Sequence, residues 1–223
     1  MGVNRAGFAI TNDDVAKEAS KQEIIRRYFR YRCEYAMGFS DKETVQRVEL
    51  FLNNFSLKPE DRQVVVPARQ AAEEAMELEK GNEGIFCGAA IELKDGSIIT
   101  GSNSPLMHAA SSMVIHAIKH LADIPGKIKL LPASITDSIG KLKTEILNEK
   151  NVSLDLEEAL IALSISATTN PAAELALERL KELQNCEVHM TYIPTPGDEA
   201  GLRRIGVNLT SDPNFSTNDL FIT

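Results

Sequence analysis

The chain has 223 residues, 43% of them hydrophobic, with a formal net charge of −8 and a pI near 5.1. That is enough apolar material for one large domain or two small ones, and the acidic balance opposes general binding to nucleic acid or to an anionic membrane, either of which would repel it at long range. No apolar run approaches the roughly 18 residues needed to span a bilayer, and the first ten residues lack signal-peptide character, so cytoplasmic residence is expected.

After a polar opening, residues 13–37 have acidic residues early and Val15, Ala19, Ile25, Tyr28, Phe29, Cys33 and Ala36 at helical spacing, with Gly38 as the stop. Ser40 with Glu43 three residues on has the form of a capping box, opening a second helix whose apolar side carries Val45, Val48, Leu52 and Phe55. The two form an expected antiparallel pair, an N-terminal helical arm over residues 1–58. Within it Arg26, Arg27, Arg30 and Arg32 interleave with Tyr28, Phe29, Tyr31 and Tyr35. Such a mixture occurs where phosphates and bases are bound, but Glu23 and Glu34 flank it, which favours an intramolecular or interdomain contact. Asn4 and Arg5, in a Gly-flanked stretch, are candidates to hold a carboxylate or phosphate, with a structural salt bridge as the alternative.

The segment Leu57-Lys-Pro-Glu-Asp-Arg reads as a linker, with an α/β core expected over residues 62–223. A helix over 68–80 leads to a hairpin over 87–103, where Asp95-Gly96 supplies the positive φ angles of a type I′ turn. That turn sets Leu93 opposite Ile98 and Ile91 opposite Thr100. Ser104 then caps a helix whose first residue is Pro105 and which runs to Leu121. A short strand is expected at 128–131. Helices follow near 136–147, 156–167 and 171–183, the last capped by Asn170. A half-buried strand at 186–193, a helix from Pro196 to about Ile205 capped by Thr195, and a strand at 207–210 complete the pattern.

Three helices thus open with a polar cap followed by proline, at Ser104, Asn170 and Thr195, and two of them follow a strand directly. Their amides and dipoles would leave one sheet edge, where anions bind well, although good capping alone explains the same pattern. The candidate ligand-binding residues are Asn4, Arg5, Asn103, Ser104, Asn170, Thr195 and Asp198, with His108 as the candidate acid or base near the capped end. His116 and His120 are four apart, but no glutamate or third ligand accompanies them, so a solvated face is the better reading. Cys33, Cys87 and Cys186 are odd in number and scattered, which speaks for core residues and against a disulfide framework or a metal site. There is no phosphate loop, no G-x-G-x-x-G, no nucleophile elbow and no C-x-x-C.

The strings Met1-Gly-Val-Asn-Arg-Ala-Gly-Phe-Ala-Ile10, Glu18-Ala-Ser-Lys-Gln-Glu-Ile-Ile-Arg-Arg-Tyr-Phe-Arg30, Ala117-Ile-Lys-His-Leu-Ala122, Leu160-Ile-Ala-Leu-Ser-Ile-Ser-Ala167 and Arg204-Ile-Gly-Val-Asn-Leu-Thr210 resemble the C-terminal half of the bacterial family of unknown function called DUF1846 or UPF0371. The resemblance covers nearly the whole chain. It implies a longer protein, with an N-terminal domain of nucleotide-binding α/β character that is missing here. A second resemblance is to the element order of cytidine deaminases, with His108-Ala109-Ala110 after the hairpin and Ile193-Pro-Thr-Pro-Gly-Asp198 after the later strand. Ala110 stands where that family's glutamate would be, and Thr195 and Asp198 where cysteines would bind zinc, so zinc deamination is not expected.

The expected fold is therefore α/β, a mixed sheet with helices on both faces in a deaminase-like three-layer core, plus the N-terminal helical pair. The expected role is to complete a ligand site or an assembly interface for a nucleotide-binding N-terminal domain of the same protein. One alternative is an enzyme acting on a phosphorylated or carboxylated small molecule through His108. The other is a structural module that makes a homo-oligomer. No cofactor is expected in this chain, a nucleotide being assigned to the longer protein.

Overall fold

A computed structural model describes residues 13–216. The chain divides into two compact units, Met1–Arg62 and Gln63–Thr223.

In the first unit, α1 (Asp13–Ala36) and α2 (Lys42–Asn54) pack against one another and bury Ile25, Phe29 and Cys33 of the one and Val45 and Leu52 of the other. Gly38, at φ +80°, turns the chain after α1 as expected of a residue without a Cβ. The second cap lies one residue later than the sequence pattern indicates, because Asp41, not Ser40, accepts the Thr44 amide at 2.7 Å. Each of the four arginines of α1 has a partner within the helix pair. Arg26 and Arg27 share Glu23, Arg30 lies 3.8 Å from Glu34, and Arg32 donates to the Tyr28 hydroxyl at 2.8 Å.

The second unit is built on a mixed sheet of β1 (Gly88–Glu92), β2 (Ile98–Ser102), β3 (Glu187–Met190) and β4 (Asn208–Ser211), in the order β2-β1-β3-β4 among the described residues. β1 runs antiparallel to both neighbours, and β3 and β4 are parallel. Because side chains alternate along a strand, Ala90 faces α3 (Val65–Glu77), packing with Val64 and Ala68, while Ala89 and Ile91 enter the main core beneath α4 (Ala109–Leu121). Gly88 and Gly101 let these helices approach closely. A Cβ would meet the Ala68 carbonyl oxygen at 2.1 Å in the first case and the Met113 amide at 2.2 Å in the second. α5 (Ala133–Lys141), α6 (Leu156–Ala167), α7 (Pro171–Glu178) and α8 (Pro196–Ile205) complete the unit. The helix pattern over 136–147 resolves into α5 and a π-helical turn, Leu142–Ile146, and the 171–183 pattern ends in a 3-10 turn.

Three local expectations are corrected. The hairpin pairs Ile91 with Ile99 and Glu92 with Ile98, not Ile91 with Thr100. Lys94 joins Asp95 and Gly96 in a three-residue loop, where the Gly96 amide returns to the Leu93 carbonyl and Gly96 takes φ +83°. This bulged loop needs one positive φ where type I′ needs two, so Asp95 keeps an ordinary backbone and its carboxylate accepts the Ser97 amide. Residues 128–131 form no strand. Leu130 and Leu131 are buried in the core, and Asn170 Nδ2 donates to the Lys129 and Leu130 carbonyls. Finally, α4 starts at Ala109, not at Pro105. Ser104 instead closes a small turn, its hydroxyl accepting the Leu106 and Met107 amides at 3.2 Å each.

Candidate functional site

Moving the start of α4 to Ala109 makes His108 its N-cap residue. The chain just before it is stitched to the chain just before α6. Leu154 donates to the Leu106 carbonyl, His108 donates to the Leu154 carbonyl, and the Ser111 hydroxyl bonds that same carbonyl at 3.0 Å. Two helix N-termini therefore lie side by side. α6 is closed by a capping box, in which Asp155 accepts the Glu158 amide and Glu158 accepts that of Asp155. Lys143, buried in the π-helical turn, braces the arrangement by donating to Glu158 at 2.8 Å and to the Ser153 carbonyl at 3.0 Å.

α8 brings the third N-terminus. Thr195 caps it and also donates to Asp198 Oδ2 at 2.9 Å. Gly197 lies so close to α6 that a Cβ there would fall 1.9 Å from the Asp155 carboxylate. Asp198, fully buried, is the link between all three helices. One oxygen accepts the Leu156 amide of α6 at 3.0 Å, and the other lies 2.8 Å from His108 Nδ1. The Tyr192 hydroxyl donates to that second oxygen at 3.5 Å.

A carboxylate cannot donate, so His108 Nδ1 carries the hydrogen, leaving Nε2 as the nitrogen for the cavity. The His108 side chain is 19% exposed. Burial alone would disfavour its charged form, but the hydrogen bond and charge of Asp198 outweigh that and raise the imidazole above its ordinary value. The other two reactive groups nearby go the opposite way. Burial, with the Asp198 charge, pushes the Cys87 thiol up to about 12 and the Tyr192 phenol well above its usual range, so both stay neutral.

These groups line a cavity of about 80 Å³ whose walls include Cys87, Asn103, His108, Ala109, Tyr192 and Thr195. Most of the surface its walls present is apolar, with His108 and the start of α4 as a polar end. The cavity can hold a small anionic or carbonyl group against His108. Among the described residues no three His, Cys, Asp or Glu side chains come together in a metal-binding arrangement.

Of the residues singled out in the sequence, His108, Asn103 and Thr195 meet at this cavity, and Asp198 stands directly behind His108. The Asn103 side chain is already used as a clamp, accepting the Cys87 amide at 2.7 Å and donating to the Ile85 carbonyl at 2.9 Å. Ser104 serves its own turn, and Asn170 caps α7 while holding the 129–130 carbonyls, so neither lines the cavity. Asn4 and Arg5 lie outside the described residues. His116 and His120 are exposed on α4, and the side chains of the three cysteines are buried. Sequence reasoning missed Tyr192 and Asp155. The latter carried a readable signal, an aspartate three residues before a glutamate at the head of an apolar run.

Residues 60–221 match the family model described as "Domain of unknown function DUF1846, C-terminal", and residues 1–56 match "Domain of unknown function DUF1846, N-terminal". Among curated proteins, a UPF0371 protein of Clostridium botulinum strain Alaska E43 is 48% identical over 221 residues, 99% of this chain and 44% of the relative. Others from strains Eklund 17B and 657 are 47% and 45% identical, again over 99% of this chain and 44% of their own length. The chain spans less than half the length of these relatives and belongs to the DUF1846 (UPF0371) family.

Proposed function

We propose that the second unit binds a small molecule through an anionic or carbonyl group at this junction, and that His108 exchanges a proton with it. The observation that carries this reading is the 2.8 Å contact between Asp198 and His108 Nδ1. It holds one tautomer, aims Nε2 at the cavity and favours the imidazolium that proton uptake creates. As a base, Nε2 takes a proton from the ligand and becomes an imidazolium paired with Asp198. As an acid, it returns that proton. The α4 N-terminus stabilises negative charge on the ligand while this happens. Asp198 touches no ligand and acts through His108 as a positioning residue.

A second reading is favoured by the match of residues 1–56 to the N-terminal family model. It makes the second unit the partner that completes a ligand site or assembly interface for a nucleotide-binding domain of the longer, cytoplasmic protein.

The test follows the His108 ring signals by NMR while acetate is added to the 223-residue chain. Acetate is expected to shift the His108 signals and raise the imidazole's titration midpoint, and His108→Gln should abolish all trace of binding. Unmoved His108 signals with acetate, formate and phosphate alike would overturn the proton-exchange reading. If a nucleotide shifts α1 and α2 while leaving His108 untouched, the second reading is preferred.

A further inference from the structure

Of the four described phenylalanines in the first unit, only Phe29 is buried; Phe39, Phe51 and Phe55 are 80%, 57% and 59% exposed. Two helices that meet along one seam have no further layer with which to cover such groups. The outer faces of the two helices also differ. α1 carries ion pairs at helical spacing, Lys17 with Asp14, Lys21 with Glu18, Arg26 and Arg27 with Glu23, and Arg30 with Glu34, as a face turned to water does. α2 has such a pair, Arg47 with Glu43, in its first half, and beyond it come Leu50, Phe51 and Phe55. Phe51 and Phe55 are four apart and share one face, other than the one that buries Val45 and Leu52, and Leu50 borders them at 61% exposure. Together the three present on the order of 300 Å² of apolar surface, the scale of the largest patches on stable monomers, which are commonly functional.

What covers this face follows from where the unit stands in the family. Residues 1–56 match the N-terminal family model and residues 60–221 the C-terminal one, so the family boundary falls within a few residues of the boundary between the compact units at Arg62. By sequence, then, the helix pair belongs with the N-terminal domain. The matched relatives have more than half of their length outside the region this chain spans, enough for a further domain of ordinary size.

We propose that the Leu50, Phe51 and Phe55 face of α2 is the surface on which the rest of the N-terminal domain of the longer protein packs, with α1 and α2 as the closing helices of that domain. The interface is independent of the reading of His108.

The test compares amide hydrogen exchange of α2 in the 223-residue chain with that of the matched segment in the full-length UPF0371 protein of Clostridium botulinum strain Alaska E43. Exchange should be roughly a hundredfold slower in the longer protein, since burying the rest of each phenylalanine ring contributes about 1.4 kcal/mol, a factor of ten apiece. Equal exchange in the two overturns the proposal. Joining the relative's N-terminal portion ahead of this chain should slow α2 by the same factor. Phe51→Ser with Phe55→Ser should return that joined protein to the level of the 223-residue chain, in which the same pair of substitutions should leave α2 exchange unchanged. If the substitutions instead speed exchange in the 223-residue chain by tenfold or more, the face is already covered there. Sedimentation then identifies a second copy if the chain is a dimer and the second unit if it is a monomer, and either result overturns the proposal. Should the joined protein fail to fold, the comparison with the natural relative decides alone.

Discussion

The two faces of the sheet each hold a histidine against an aspartate, and the pairs are finished differently. On the α3 face His189 is fully buried, with Nδ1 2.9 Å from the Thr210 hydroxyl and Nε2 3.6 Å from Asp212. Thr210 donates onward to the Val188 carbonyl, and Arg69 clamps Asp212 with two bonds of 2.8 and 3.0 Å. Both ring nitrogens of His189 face protein groups. On the α4 face His108 gives one nitrogen to Asp198 and keeps the other for a cavity. The lesson is that the pair itself does not make a site. What matters is whether the second nitrogen meets protein or open space.

The largest effect should come from opening the closed pair. Arg69→Ala leaves the Asp212 carboxylate inside the protein without its bidentate partner and should cost about 3 kcal/mol of unfolding free energy, measured in denaturant, with acetate binding at His108 unchanged. An equal loss of binding would show that the two faces are coupled. Next, Gly197→Ala pushes a methyl into the Asp155 carboxylate, where strain from overpacking costs about 1 to 3 kcal/mol. Because α8 must withdraw from α6, this variant should lose both stability and the raised His108 titration. A stable variant with normal His108 behaviour would mean that the three helix starts are held independently.

Asp198→Asn should cost less, about 1 to 2 kcal/mol, since the amide oxygen can still accept from Leu156 while the amide nitrogen donates to the Thr195 hydroxyl. Its signature is in the pH dependence. His108 has its pKa raised when folded, so its stabilising contribution is fully present below the unfolded value of 6.5 and is lost as pH rises through the folded value. The variant should lack that decline and titrate at lower pH. Asp212 has the opposite sign. Burial by itself would raise its carboxyl, but bonds from His189 and Arg69 hold it far below the usual range. Its contribution is present above 3.8 and is lost as pH falls from there toward the folded value. The two pairs can thus be separated by stability measured at mildly alkaline and strongly acidic pH. Smallest of all, His108→Gln should change stability by less than about 1 kcal/mol while abolishing acetate binding, the reverse of the Arg69 result.

Much of this arrangement is legible in the amino-acid sequence. The caps at Thr195 and Asn170 and the limits of α6 and α8 follow from local pattern, because capping and apolar periodicity act within a few residues. The miss at Ser104 has a physical cause. Serine followed by proline suits a turn as well as a helix start, and what decides between them is Leu154, 50 residues away, whose bonds hold 106–108 extended until Ala109. Tyr192 was invisible for the same reason, since its role depends on where α4 begins. The hairpin register escaped because Asp95-Gly96 is compatible with a two-residue and a three-residue loop, and the difference is one residue of pairing. In each case the local choice was nearly balanced and a distant contact tipped it.

Lys143 has a consequence for where this domain can grow. Its ammonium ties the π-helical turn to the Ser153 carbonyl and to Glu158, so the intervening run 147–151, exposed throughout, starts and finishes at points that do not depend on its own length. Loop-closure entropy rises slowly with length, so extra residues between Glu149 and Lys150 should leave the head of α6 in place. One residue added between Ser153 and Asp155 is different in kind. It would move Leu154 off its bonds to Leu106 and His108, and the ring would lose its aim although the loop and the cavity walls were untouched. Long and short members of such a lineage should therefore differ on one side of Ser153 and keep strict spacing on the other.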